Sequence, residues 1–213
     1  MRDAALELVD VGGAPVAVWR FGTPRRCAST AVLGGGVGLR RWVVNAQVTA
    51  DYDCREPAVH VAGIAAALGL PPSDGVGLLT AASVRAMAVG RDGGVTCQAT
   101  VGLHPVGWAA APDAGWDRTP GTINLVCAVP APFDDGALVN AIATATEAKV
   151  QALLERGVEG TGTATDAVVV TCPAGGDEPY GGPRSAWGAR LARAVHAAVG
   201  AGIDRDLRPV ASR

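Results

Sequence analysis

Between Pro120 and Val170 the chain writes an apolar run, a long helical segment and a second apolar run, each set off by turn residues. Ile123 to Val129 is rich in β-branched and apolar residues, with Pro120-Gly121 before it and Pro130 after it, and reads as a buried strand. Asp134 or Asp135 is placed to cap a helix from Gly136 to Arg156, and Gly157 to stop it. The hydroxyl-rich turn Gly160-Thr161-Gly162-Thr163-Ala164-Thr165-Asp166 then opens a strand beginning at Ala167. Strand, helix and strand in that order call for a sheet with a helix packed on its face.

At about 100° per residue, Leu138, Val139, Ile142, Ala143, Val150, Leu153 and Leu154 form a broad apolar arc. Lys149 falls inside that arc. Asn140, Thr144, Glu147 and Gln151 fall on the other side, so Glu147 and Lys149 stand roughly 200° apart and a regular helix does not aim both at one atom. Lys149 is the only lysine among 18 basic residues, the other seventeen being arginine. That usage singles out a position needing a compact amine rather than a positive charge alone. The structural alternative is a stem crossing the core edge with its head in water. On the apolar arc, Lys149→Met is expected to fold as well as the native chain. The turn at 160–166 offers N–H and O–H donors for a carboxylate, amide or oxyanion, or serves simply as a polar turn anchored by Asp166.

Upstream, Leu6–Val11 and Pro15–Phe21 read as a hairpin across Gly12-Gly13, followed by an apolar stretch from Cys27 into the flexible run Gly34-Gly35-Gly36. Trp42–Val48 reads as a strand holding Asn45 among apolar neighbours, where a buried amide must find partners. Asp51-Tyr52-Asp53 follows, then a helix over Ala58–Leu70 with His60 near its start, a segment through Thr80 and Gly90, and a strand over Val95–Leu103. Residues 104–119 form the longest irregular connection. A final helix is expected over Ala186–Ala201, with a frayed tail over 204–213. Together these predict one domain over 1–213, of α/β or α+β class, with a mixed sheet covered by helices.

Composition excludes several functions. With 18% charged residues, a net charge of −2 and 4% aromatics, nothing supports phosphate binding or base stacking, so no nucleic acid partner is expected. No secretory signal pattern and no membrane-length apolar run occur, which points to the cytoplasm and away from membranes. Five cysteines without C-x-x-C spacing argue against a disulfide framework or zinc site and for buried thiols. His60, His104 and His196 lack ligand spacing, so no metal and no cofactor are expected.

The motifs Gly121-Thr122-Ile123-Asn124, Thr144-Ala145-Thr146-Glu147-Ala148-Lys149 and Gly162-Thr163-Ala164-Thr165-Asp166 resemble those of the adenosylcobinamide amidohydrolase (CbiZ) family. Ser29-Thr30-Ala31, Gly35-Gly36, Val44-Asn45-Ala46-Gln47-Val48, Leu79-Thr80-Ala81-Ala82 and Tyr180-Gly181 with Gly188 fit in the same order, from Cys27 to Ala201. The stretch Cys97–Pro105 departs from the pattern and puts that wall of the site in question. The resemblance implies a corrinoid-salvage enzyme that cleaves the aminopropanol amide of adenosylcobinamide to give adenosylcobyric acid, the corrinoid being substrate. Amide hydrolysis needs an activated nucleophile, oxyanion donors and an acid for the leaving amine. For these roles the residues suggest Glu147, Lys149 and Asp166 as catalytic, and Asn45, Thr80, Thr122, Asn124, Thr144, Thr163, Thr165 and Tyr180 as substrate-binding. Two other readings stay open: a corrinoid-binding protein without turnover, and an amidohydrolase whose nucleophile is a threonine freed by cleavage before Thr122 or Thr163.

Overall fold

The structure, a computed structural model, describes residues 4–112 and 121–207. Its elements in chain order are strands β1 (Ala4–Val11), β2 (Ala14–Ser29) and β3 (Gly36–Gln47), helix α1 (Pro57–Ala67), strands β4 (Gly75–Thr80), β5 (Ala88–Asp92), β6 (Val95–Gly102) and β7 (Thr122–Ala128), helix α2 (Asp135–Leu154), strand β8 (Ala167–Cys172) and helix α3 (Ala186–Asp206). The strands form one mixed sheet in the order β4-β3-β2-β8-β7-β6-β5, with β1 paired to β2. β3 and β4 are parallel across α1, and β7 and β8 are parallel across α2; the remaining pairs are antiparallel.

Period-2 alternation along the strands sorts their side chains into three apolar layers. Leu125, Cys127, Val168, Val170, Cys97 and Ala99 face α2 and α3. Val16, Val18, Trp42, Val44 and Ala46 face α1. Between them, Trp19, Val43, Val76 and Leu78 pack on Val126 and Val169. The sheet therefore folds over on itself, β3 and β4 lying across β6 and β7, with helices on both outer faces. β2 makes this possible: after a register shift between Arg20 and Arg25 it carries on to pair with β8.

Two helix starts are capped as their sequence requires, Asp134 accepting from Ala137 N at 2.7 Å and Ser185 from Gly188 N at 3.0 Å. α2 departs from its expected faces. Its buried side is built largely of alanine (Ala137, Ala141, Ala145, Ala148, Ala152) with Leu138 and Leu153, whereas Val139 and Leu154 are exposed. Small residues let the helix sit close against both the sheet and α3. α3 runs through Asp204 to Asp206 rather than fraying from Asp204, because Arg156 pairs with Asp204 at 2.9 Å and Asp206 accepts from Leu103 N at 3.2 Å. Residues 208–213, the rest of the expected tail, and 113–120 of the long connection lie outside the described residues. All five cysteines are free; four are buried, but Cys54 is exposed, since it sits in the loop before α1 and not on a strand. Among the described residues no helix is long and apolar enough to cross a membrane.

Candidate active site

A cavity of about 530 Å³ opens where the two strand layers meet. Thr80 from the end of β4, Thr122 and Asn124 from β7, and Thr165 and Asp166 from the turn before β8 line it, together with Thr30, Tyr52 and Cys54. A wider hollow beside it, about 890 Å³, is bounded by the β1–β2 hairpin, the loop after β3, and α1. The two share Val48, Tyr52 and Ala81, and so form one trough. Partial burial, with Cys54 beside it, pushes the Tyr52 phenol up to about 12. Tyr52 Oη lies 2.8 Å from His60 Nδ1 and the two rings stack.

Asp166 organises the inner end. Its Oδ1 accepts from Ile123 N at 2.8 Å and from Thr163 Oγ1 at 2.6 Å; its Oδ2 accepts from Thr163 N at 3.2 Å and from the Lys149 ammonium. Four donors match the roughly four lone-pair positions of a carboxylate, so Asp166 is better suited to holding the turn than to activating water. Lys149 is buried and reaches the cavity only through this carboxylate. Gly162, at φ +153°, makes the pairing possible, since a Cβ there would stand 2.5 Å from Lys149 Nζ and run into the carboxylate.

Around the Gly121–Thr122 peptide the hydroxyls converge. The Gly121 carbonyl accepts from Thr165 Oγ1 at 2.9 Å and, at 2.8 Å, shares with Asp166 Oδ1 the single proton of Thr163 Oγ1; Thr122 Oγ1 is hydrogen-bonded to Thr165 Oγ1. A buried amide chain runs behind them: Asn124 Nδ2 donates to Leu79 O at 2.8 Å and to Asn45 Oδ1 at 3.0 Å, and Asn45 Nδ2 donates to Thr100 Oγ1 at 3.1 Å. Asn124 Oδ1 is buried with no hydrogen-bond partner among the described residues.

The structure thus brings together Asn45, Thr80, Thr122, Asn124, Lys149, Thr163, Thr165 and Asp166. It leaves three expected site residues outside. Glu147 is exposed on the outer face of α2, as its angular offset from Lys149 requires. Thr144 is buried, its hydroxyl donating to Gly181 O at 2.9 Å, and ties α2 to the segment before α3. Tyr180 is 69% exposed, in the connection after β8, whereas the cavity lies at the start of that strand. Thr30 and Cys54 were missed; of these only Thr30 had a signal, its place in the Ser29-Thr30-Ala31 motif. No residue of the departing stretch Cys97–Pro105 lines the cavity; Thr100 is linked to it through Asn45 and then Asn124.

The model of the adenosylcobinamide amidohydrolase family matches residues 4–209. The chain belongs to that family. It is 35% identical over 212 residues to an adenosylcobinamide amidohydrolase of Halobacterium salinarum, covering 96% of this chain and 86% of that protein. It is 32% identical over 182 residues to one of Methanosarcina mazei, covering 81% and 87%. Membership makes the chain an amidohydrolase, a hydrolase acting on amide bonds. In fold it is similar to the PH0078 protein of Pyrococcus horikoshii, with a TM-score of 0.50 at 10% identity, covering 96% of this chain and 83% of that one.

Proposed function

We propose that the chain hydrolyses the amide joining the aminopropanol arm to the f side chain of the corrin in adenosylcobinamide, releasing adenosylcobyric acid in corrinoid salvage. The trough carries this reading. Its wide part offers an apolar ledge, Val11, Pro15, Val59 and Ile64, on which a macrocycle can lie. Its narrow part is lined by hydroxyls, amides and a carboxylate, and takes the arm with its amide. Asn124 Oδ1, an acceptor lacking a donor, suits the N–H of the scissile amide.

On this reading the corrinoid is substrate, no further cofactor is needed, and the free thiols suit a reducing cytoplasm. Incubation with adenosylcobinamide and chromatographic detection of adenosylcobyric acid tests it. Tight binding without product would instead favour a non-catalytic corrinoid binder.

A further inference from the structure

The two hydroxyl donors on the Gly121 carbonyl are aimed at a peptide bond of the chain itself. The Thr165 hydroxyl at 2.9 Å, with the Thr163 hydroxyl at 2.8 Å sharing its one proton between this oxygen and Asp166 Oδ1, gives the carbonyl the donor arrangement of an oxyanion hole. The residue that follows carries a hydroxyl, Thr122 Oγ1, which lines the cavity and is hydrogen-bonded to Thr165 Oγ1. Thr165 in turn donates to Gly121 O. Nucleophile, relay and carbonyl oxygen are therefore linked in one chain of hydrogen bonds.

We propose that the protein cleaves its own Gly121–Thr122 peptide bond, and that Thr122, as the new amino terminus, is the nucleophile of the amidohydrolase. The Thr122 hydroxyl adds to the Gly121 carbonyl carbon, and negative charge collects on the oxygen that Thr163 and Thr165 hold. The C–N bond breaks and the hydroxyl proton passes to the departing nitrogen. Water then hydrolyses the resulting ester, leaving a Gly121 carboxylate, a restored Thr122 hydroxyl and a free α-amine. That amine, unlike the hydroxyl, is basic near neutral pH and can take the hydroxyl's proton when Oγ1 attacks a substrate amide. The amine half of the substrate leaves with that proton as the acyl ester forms on Thr122, and a second water hydrolyses the ester.

Thr163 is not the equivalent site. Its hydroxyl is engaged by Asp166 Oδ1 and Gly121 O, and the carbonyl before it, Gly162 O, accepts from the backbone of Gly107 at 2.9 Å rather than from hydroxyls. Self-cleavage stands on the hydroxyl geometry, while Thr122's part in turnover rests on the amidohydrolase reading above.

Intact mass under denaturing conditions tests the cut, on fresh protein and after prolonged incubation. Two chains are expected, residues 1–121 and 122–213, the second opening Thr-Ile-Asn-Leu on terminal sequencing. Thr122→Val, nearly isosteric, stays whole, Thr122→Ser is still cut, and Thr165→Val slows the cut at least tenfold. A wild-type chain that stays whole overturns the proposal whether or not it is active, and so does a Thr122→Val chain cut like the wild type. A chain cut at this bond but inert toward adenosylcobinamide leaves the cleavage standing and removes the substrate assignment.

Discussion

Lys149 and Asp166 form an ion pair with side chains only 7% and 12% exposed, joining the C-terminal half of α2 to the turn that precedes β8. The apolar arc of the helix suggested that methionine would fit at 149. The pair says otherwise, because removing one partner strands the other charge. Lys149→Met is expected to cost about 3–5 kcal/mol. For a chain of this length that lowers the thermal midpoint by roughly 6–20 °C. Lys149→Met combined with Asp166→Asn should recover part of the loss. A single variant as stable as wild type would show that the pair adds nothing.

Gly162→Ala should behave like a broken ion pair without touching either charge. The new methyl occupies the place of the ammonium–carboxylate contact, in a backbone conformation that disfavours a side chain. Turnover of adenosylcobinamide is expected to fall at least tenfold, with a lowered thermal midpoint. Wild-type values for both would mean that the turn adapts freely.

Glu147→Gln should leave kcat within about twofold of wild type. A residue providing general acid or base catalysis loses roughly 10²-fold or more when neutralised, but Glu147 stands on the exposed face of α2. A hundredfold loss would require the cavity at 122–166 not to be the active site.

Asn45→Ala removes the middle of the buried amide chain and leaves Asn124 Nδ2 with Leu79 O alone. A cost of about 1–3 kcal/mol is expected in urea unfolding. No change would mean that water replaces the amide at no cost.

Stability should fall in alkali. Burial, with Cys172 nearby, pushes the Cys27 thiol up to about 12, and burial raises Cys172 as well. Below about pH 9 the thiol is neutral in folded and unfolded chains, and its contribution is intact. Above that the unfolded chain ionises first, so the contribution is lost as pH rises toward 12, by up to about 1.4 kcal/mol per pH unit for Cys27. Urea midpoints at pH 8 and 10.5 should differ, and by less in Cys27→Ala. Equal midpoints in the wild type would contradict the burial.

The βαβ unit at 122–172 and the first hairpin were legible because their signals are local: periodicity, turn residues and caps; the site motifs were legible through the resemblance to the family. The Lys149–Asp166 pair was not, since a helical wheel shows which way Lys149 points and nothing of the turn that comes to meet it. Tyr180 misled for a related reason. It came from the Tyr180-Gly181 motif, whose place in the chain does not show that β8 carries the backbone from the cavity end of the sheet to the other before Tyr180 is reached. The alanine face of α2 rotated the buried side away from Val139 and Leu154 while keeping Leu138 and Leu153, because close approach to two neighbours rewards small volume over hydrophobicity.

Strand β2 is the seam of the sheet. The β1–β2 hairpin and the two parallel crossover units close over short spans of chain, whereas the Arg26–Ser29 ladder with β8 joins Arg26 to Cys172 and Ser29 to Val169, about two thirds of the chain apart. Loop-closure entropy makes such a pairing a late event in folding. The cavity draws its walls from both sides of that seam, so no partly folded chain possesses it. During refolding, recovered activity should lag behind recovered helix signal, and the interval between them times the docking of β8 onto β2.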